Sequence, residues 1–475
     1  MTQHSQLVKN TTIYALGDIV PRLLSFISFP ILTTYLLPLD YGIISYVNTI
    51  NTFLMVASFM CVNTYYLVYY YKQDSPQKQR ELLGNLSIFV LLLNVLIALM
   101  LFLLGKPFFG LIEGNIDFFP YIAIGVATNF FGTFAVLPSA LYRLLERPIV
   151  LVSLNIARGV IALALTMILV ICYDYTALGV LYANLVVNFL FAIIFGAITW
   201  RKALFAFNWT QIRSALRFSL PLVPGSIAYY LISMSDRILI DKYLSPTELG
   251  IYSTAATLAL LLNIVSYGAY KAFEPHIFKT FSDTDFNIGF RKIRDGLLVI
   301  YLMGAMCLAV FAEEFFDIFA AAEYHTAYIY VAPIVVGVFL SSMMMLYSTV
   351  ITARGKTFTN SMLTIVGGAL SITLNNYLLP VMGLFGACAV SATTYFLMYM
   401  ATIYFSKISI SQLFPLISLL VVALVTYFTV YVLSIDSIVY SILVKSAIVL
   451  LTLCVVALLM RVNIVKFLGS LFKKS

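Results

Sequence analysis

The chain has 475 residues, of which 62% are hydrophobic and only 10% charged, and its formal net charge is +8. So little charge excludes an ordinary water-soluble domain, and long unbroken apolar runs exclude a transmembrane β-barrel, whose strands are short and alternating. The positive excess calls for no nucleic-acid partner, because the orientation of the spans and anionic lipid at an inner membrane surface account for it.

The start, MTQHSQLVKN, is short and polar and lacks the pattern of a cleavable signal peptide. Beyond it, apolar runs of about 20 residues recur, each long enough to cross roughly 30 Å of hydrocarbon as a helix. Charged and Pro/Gly breaks place about fourteen spans, near 11–37, 42–71, 82–105, 118–142, 148–173, 176–200, 214–240, 249–273, 296–316, 326–352, 357–380, 383–405, 413–434 and 440–461. The expected fold is an all-α integral membrane protein. Two parallel six-helix lobes, 1–207 and 208–406, flank a central cavity, and two further helices and a basic tail occupy 407–475.

Loop charges give an independent check. With the N-terminus in the cytoplasm, the inner loops and tails carry about 22 Lys and Arg, Arg143 and Arg294 among them. The outer loops hold only Lys106, Lys242 and Lys445, whereas acids such as Asp241, Glu313 and Glu314 fall outside. Both termini are then cytoplasmic. The longest loop, Pro275 to Asp295, is basic and is expected to hold a short interfacial helix with Ser282 and Asp285 at capping-box spacing.

One pattern occurs twice. Tyr35–Thr49 reads YLLPLDYGIISYVNT and Tyr243–Thr257 reads YLSPTELGIYSTAAT. Upstream, IVPRLLSF (Ile19–Phe26) resembles LVPGSIAY (Leu222–Tyr229). The copies begin at the first and seventh spans, so an even number of helices separates them and both halves enter the membrane from the same side. Two like halves are the plan of an alternating-access transporter, with its site between them. The halves differ where Arg22 stands opposite Gly225, so the mid-membrane positive charge belongs to the N-terminal half.

Five charges fall inside spans: Asp18, Arg22, Arg158, Asp236 and Arg237. A charge at mid-membrane costs at least about 2.5–3.5 kcal/mol, so each is a candidate functional residue. Asp18 and Arg22 share a helix face, beside Gly17 and Pro21. They form either a neutralising pair or a ligand-facing guanidinium steadied by its neighbour. Arg158 has no acid in local helical reach, and Asn155, Asn184 and Asn188 are its candidate polar neighbours. An anionic ligand, or else another helix, must satisfy it. Asp236 and Arg237, near the outer end of their span, are candidates for gating or ion coupling. As sequence neighbours they are not expected to face each other, and Arg237 is expected to snorkel outward. Tyr267 and Tyr270 are candidates for stacking on sugar rings, the alternative being interfacial belts and packing. Pro21, Pro221, Pro224 and Gly225 are candidate hinges.

The five cysteines form no CxxC pair, and His4, His276 and His325 are scattered, so neither a metal nor another cofactor is expected. No GxxxxGK[ST] loop occurs, so ATP is not the expected energy source.

The segment FSLPLVPGSIAYYLISMSDRILIDKYLSPTELGIYSTA (Phe218–Ala255), with its SDR triplet and YLSPTELGIYS turn, closely resembles polysaccharide-transporter flippases. These belong to the multidrug/oligosaccharidyl-lipid/polysaccharide exporter superfamily. The resemblance implies two lobes around a cavity open alternately to each side of a bacterial cytoplasmic membrane. The implied substrate is an oligosaccharide on undecaprenyl pyrophosphate, moved to the outer leaflet for cell-surface polysaccharide synthesis without covalent chemistry. Membrane lipids and the glycosyltransferases and polymerase of the pathway are the implied partners. Three alternatives stay open. A drug exporter of the superfamily would want cavity acids, a lipid II flippase would want cavity cations, and a membrane polymerase or ligase would want a long outer catalytic loop.

Overall fold

The computed structural model describes residues 20, 24, 26–111, 113–283, 285–408, 413–433 and 437–460. Hydrocarbon supplies no hydrogen-bond partners, so a spanning segment must satisfy its own backbone. The described residues accordingly contain helices and no strands. Twelve helical segments are long and apolar enough to cross a membrane, and two shorter apolar helices, Phe26–Tyr35 and Leu416–Tyr431, stand where the first and thirteenth spans are expected. The chain is a multi-pass membrane protein.

Packing divides it into two compact units, Met1–Gly250 and Ile251–Ser475. The first contains α1 (Phe26–Tyr35), α2 (Pro38–Phe59), α3 (Val62–Tyr69), α4 (Pro76–Gly110), α5 (Ala123–Gly132), α6 (Val136–Leu144), α7 (Pro148–Met167), α8 (Ala177–Lys202), α9 (Trp209–Ser219) and α10 (Val223–Tyr243). α11 (Pro246–Ala259) crosses the division. The second unit continues with α12 (Leu262–Thr280), α13 (Phe286–Val310), α14 (Ala312–Phe319), α15 (Tyr328–Ala353), α16 (Thr357–Met382), α17 (Leu384–Ser406), α18 (Leu413–Tyr431) and α19 (Ile438–Met460).

Several spans are broken. α2 ends in two left-handed residues, Met60 (φ 44°) and Cys61 (φ 57°), before α3 continues the crossing. Such a break frees carbonyls that lipid cannot satisfy. Asn94 donates to Ser58 O at 3.2 Å and Ser219 to Cys61 O at 3.3 Å, so neighbouring helices supply the partners. The expected hinge of the seventh span also falls on a break. Leu220–Leu222 form a 3-10 turn containing Pro221, and Pro224 and Gly225 lie in the first turn of α10.

The doubled turn caps helices in both copies by different means. In the first, Asp40 accepts from Leu37 N and, through its other oxygen, from Ala177 N, both at 3.1 Å, so one carboxylate caps α2 and α8. In the second, Ser245, standing where Leu37 stands, accepts from Glu248 N at 3.2 Å and donates to Glu248 Oε2 at 3.1 Å. The two turns also touch. A Cβ on Gly42 would lie 1.8 Å from Pro246 O, and one on Gly250 would lie 1.7 Å from Pro38 O. The contact is reciprocal, as a two-fold relation between the copies requires. Beside it, Asn115 N donates to the fully buried Asp241 at 2.9 Å, and Glu113 pairs with Lys242 at 3.2 Å.

Four expectations are corrected. The loop after α12 holds no separate interfacial helix among its described residues: α12 runs to Thr280 and α13 starts at Phe286, with Asp285 at its N-cap making no side-chain cap bond. Arg294, expected in that loop, is 1% exposed within α13 and pairs with Asp295 at 2.5 Å. Lys445, expected in an outer loop, is 1% exposed and pairs with Glu313 at 2.9 Å and Glu314 at 2.6 Å. Asp236 and Arg237 do meet, at 3.3 Å, because the guanidinium folds back along α10 and also donates to Ser233 O, and Arg237 is buried rather than snorkelling. For Arg294, Lys445 and the Asp236–Arg237 pair, a partner offsets the cost of removing a charge from water.

The double cap predicts an asymmetry. Asp40→Ala should lower unfolding stability by about 2 kcal/mol, two caps at about 1 kcal/mol each, and Ser245→Ala by about half as much; equal losses in chemical or thermal unfolding would contradict the double role. Gly42→Val and Gly250→Val should each destabilise more than Asp40→Ala, since the new side chain collides with backbone.

Candidate functional site: an asparagine-lined cationic cavity

The first unit contains a polar, open-sided cavity of about 740 Å³. Helical periodicity builds it. α2 contributes Asn48, Asn51, Thr52 and Met55, which share one face at intervals of three and four. Beyond the left-handed break α3 adds Asn63 and Leu67. The α5–α6 span adds Thr128, Asn129, Ser139 and Arg143, α7 adds Asn155 and Arg158, and α8 adds Leu181, Asn184 and Asn188. Helices satisfy their own backbones, so these side chains are left to serve the cavity or one another.

The network inside is ordered. Arg158 Nη2 donates to Asn188 Oδ1, and Asn188 Nδ2 donates to Asn184 O at 2.7 Å. Asn129 Nδ2 donates to Ser58 Oγ at 2.9 Å, which joins the cavity wall to the α2 break. Asn51 Oδ1 is buried and has no partner among the described residues. Two guanidiniums, Arg143 and Arg158, line the cavity, and among the described residues no carboxylate does. Among the described residues, no ion pair neutralises Arg158. Seven asparagines beside two cations can donate to and accept from many hydroxyls while attracting an anion.

Sequence reading and structure agree on Arg158 with Asn155, Asn184 and Asn188, which all line this cavity. Arg22, Asp18 and Pro21 lie outside the described residues. Asp236 and Arg237 pair within α10 and are not lining residues. Tyr267 and Tyr270 belong to the second unit, where Tyr267 is half-buried. Tyr270, 7% exposed, donates to Glu274 at 2.9 Å and bonds Thr349. Sequence reasoning missed Asn48, Asn51, Asn129 and Arg143. The i, i+3 spacing of Asn48 and Asn51 was the available signal. Arg143, assigned to a loop, lies in the last turn of α6. Among the described residues, no group of three His, Cys, Asp or Glu could hold a metal ion.

Comparison with known proteins places this geometry. Residues 7–281 match the family model described as polysaccharide biosynthesis protein. The structure is similar to that of lipid II flippase MurJ in an inward closed conformation, with a TM-score of 0.75 at 11% identity, covering 96% of this chain and 99% of that one. It is also similar to the MATE transporter VcmN of Vibrio cholerae, with a TM-score of 0.58 at 14% identity, covering 85% and 96%. An inward-facing multidrug resistance MATE transporter of the MOP superfamily gives a TM-score of 0.60 at 11% identity, covering 83% and 99%. No curated protein sequence matches the chain significantly. The chain therefore belongs to the polysaccharide biosynthesis protein family and carries the fold seen in MurJ and the MATE transporters.

Proposed function

We propose that the protein is a flippase that moves a lipid-linked oligosaccharide, carried on a polyprenyl pyrophosphate such as undecaprenyl pyrophosphate, from the cytoplasmic to the outer leaflet by alternating access. The observation that carries this reading is the cavity lined, among the described residues, by two arginines and seven asparagines. A sugar hydroxyl moved into hydrocarbon without a partner costs about 2–7 kcal/mol, and a pyrophosphate far more. A wet cavity that replaces those lost partners removes most of that barrier. The two cations among the described lining residues disfavour a cationic drug as substrate. MurJ is named for lipid II, which shares this chemistry of anion, sugar and lipid, so a lipid II-like substrate is the second reading.

In this reading residues 1–207 and 208–406 are the rocking lobes and 407–475 an appended pair of helices and tail. The membrane is a bacterial cytoplasmic membrane with both termini inside. Arg158, with Arg143 and Arg22, holds the anionic group, while Tyr267 and Tyr270 belong to a more neutral wall. Asp18, Asp236 and Arg237 serve gating or coupling, and Pro21, Pro221, Pro224 and Gly225 serve as hinges. No covalent bond breaks. An inside-negative potential favours outward movement of an anion by roughly 2.3 kcal/mol per charge per 100 mV. Glycosyltransferases must supply the substrate and a polymerase must consume it.

Arg158→Gln should reduce outer-leaflet exposure of lipid-linked oligosaccharide at least about tenfold, the loss of one charge-assisted contact, with the protein still inserted. Arg158→Lys, keeping the charge but not the fork, should fall between. Normal exposure in the Gln variant would remove Arg158 from the site. Cells lacking the protein should accumulate lipid-linked oligosaccharide on the inner leaflet; unchanged exposure there, with no second flippase present, would refute the function itself.

A further inference from the structure

The two tryptophans of the chain, Trp200 and Trp209, flank the segment that joins the two sequence repeats. Trp200 lies in the last turn of α8 and Trp209 opens α9. Both are exposed, at 74% and 59%, and so are Phe205 and Phe207 between them. Cations are interleaved with these rings. Arg201 and Lys202 end α8, and Arg213 and Arg217 follow Trp209 at intervals of four, so those three share one exposed face of α9. The other face of α9 buries Ile212, Ala215 and Ser219. No Asp or Glu occurs between Asp174 and Asp236. Among the described residues, no ion pair engages any of the four cations. Like charges four apart on a helix repel, so Arg213 and Arg217 gain from an anion placed beside them.

The segment is clasped by α4. Leu204 N donates to Arg80 O at 2.9 Å, and Arg80 Nε donates to Lys202 O at 3.1 Å. Asn85, 1% exposed, pairs with the Asn208 backbone in both directions, donating to its O at 3.0 Å and accepting from its N at 3.1 Å. A Cβ on Gly84 would lie 2.1 Å from Leu204 O, so this close approach requires glycine. The clasp fixes the backbone of the strap while its rings and cations stay on the surface.

We propose that the strap Trp200–Arg217 is a docking surface for the head groups of anionic phospholipids, on the cytoplasmic leaflet in the orientation given above. Tryptophan in a membrane protein favours the head-group layer, where its ring is half in hydrocarbon and its N–H can reach water. Arginine grips a phosphate with two parallel N–H donors. The surface starts in the last turn of a spanning helix, so lipid is what it meets. A soluble acidic partner would answer the cations but has no comparable use for four exposed aromatic rings. Neutral lipid would answer the rings and leave the cations without counter-charge.

Because the chain has no other tryptophan, its intrinsic emission reports on this strap alone. The test puts the full chain in nanodiscs of phosphatidylcholine and phosphatidylglycerol, with bromine on the acyl chains of one lipid or the other. At equal mole fraction, brominated phosphatidylglycerol should quench the emission at least about twofold more than brominated phosphatidylcholine, and added salt should shrink the difference. Replacing Arg201, Lys202, Arg213 and Arg217 together by Gln should erase the preference and leave quenching by phosphatidylcholine in place. Arg213→Lys with Arg217→Lys should keep it. Equal quenching by the two lipids in the wild type overturns the proposal, as does a wild-type preference in the Gln variant. Quenching by neither lipid also overturns it, since the rings are then in water. Each outcome is read without transport, so the flippase reading is judged separately by oligosaccharide exposure.

Discussion

Everything in this molecule follows from the cost of an unpartnered polar group in hydrocarbon. Where α2 breaks at Met60 and Cys61, the freed carbonyls are met by Asn94 and Ser219 from other helices. Where α2 and α8 begin, one Asp40 carboxylate supplies both caps. Several buried charges have neighbours of opposite sign, as in Arg294–Asp295, Asp236–Arg237 and Lys445 with Glu313 and Glu314, while Asp40 and Asp241 accept from backbone N–H groups. Arg158 differs from those pairs, because its partner is an amide rather than a carboxylate. A guanidinium held by Asn188 keeps its charge available to a ligand, whereas an ion pair would have spent it.

The same constraint explains what could be read from the chain and what could not. Spans were legible because hydrocarbon thickness fixes their length, and the predicted stretch 148–173 lies on Pro148–Cys172. Arg158 was legible because it sits mid-span with asparagines three residues before it and on the next helix. Lys445 was not, since its acids lie about 130 residues away in the chain and only the fold brings them within 3 Å. Hydropathy assigns a charge to a loop whenever a loop is near, which moved Arg143 and Arg294 out of their helices. Asp236 and Arg237 were misread for a different reason: adjacent side chains leave a helix in different directions, but a long arginine can curl back along it. Asn48, Asn51, Asn63 and Asn129 were hidden by dilution among apolar neighbours, each inconspicuous until α2, α3 and α5 bring them to one space with the asparagines of α7 and α8.

Within the first unit the work is divided by helix faces rather than by segments. One side of the α5–α6 span meets the polar cavity and the other, with Phe134, Leu137 and Pro138, meets an apolar groove, with Thr133 on the seam. A span made of a regular α-helix alone would present these faces at fixed angles. The 3-10 turn at Thr133 changes the twist where the two environments adjoin. The second unit holds Arg294 and Lys445 in buried pairs and its Tyr270 hydroxyl in local hydrogen bonds.

The reciprocal fit of Gly42 against Pro246 and Gly250 against Pro38 bears on how the chain came to read the same thing twice. The two copies differ where each can change alone, as Arg22 and Gly225 do. At this contact neither can. A side chain gained by one glycine collides with the other copy's carbonyl, so each turn polices the spelling of its twin. The internal echo in the sequence is therefore the imprint of a surface on which the protein is its own partner.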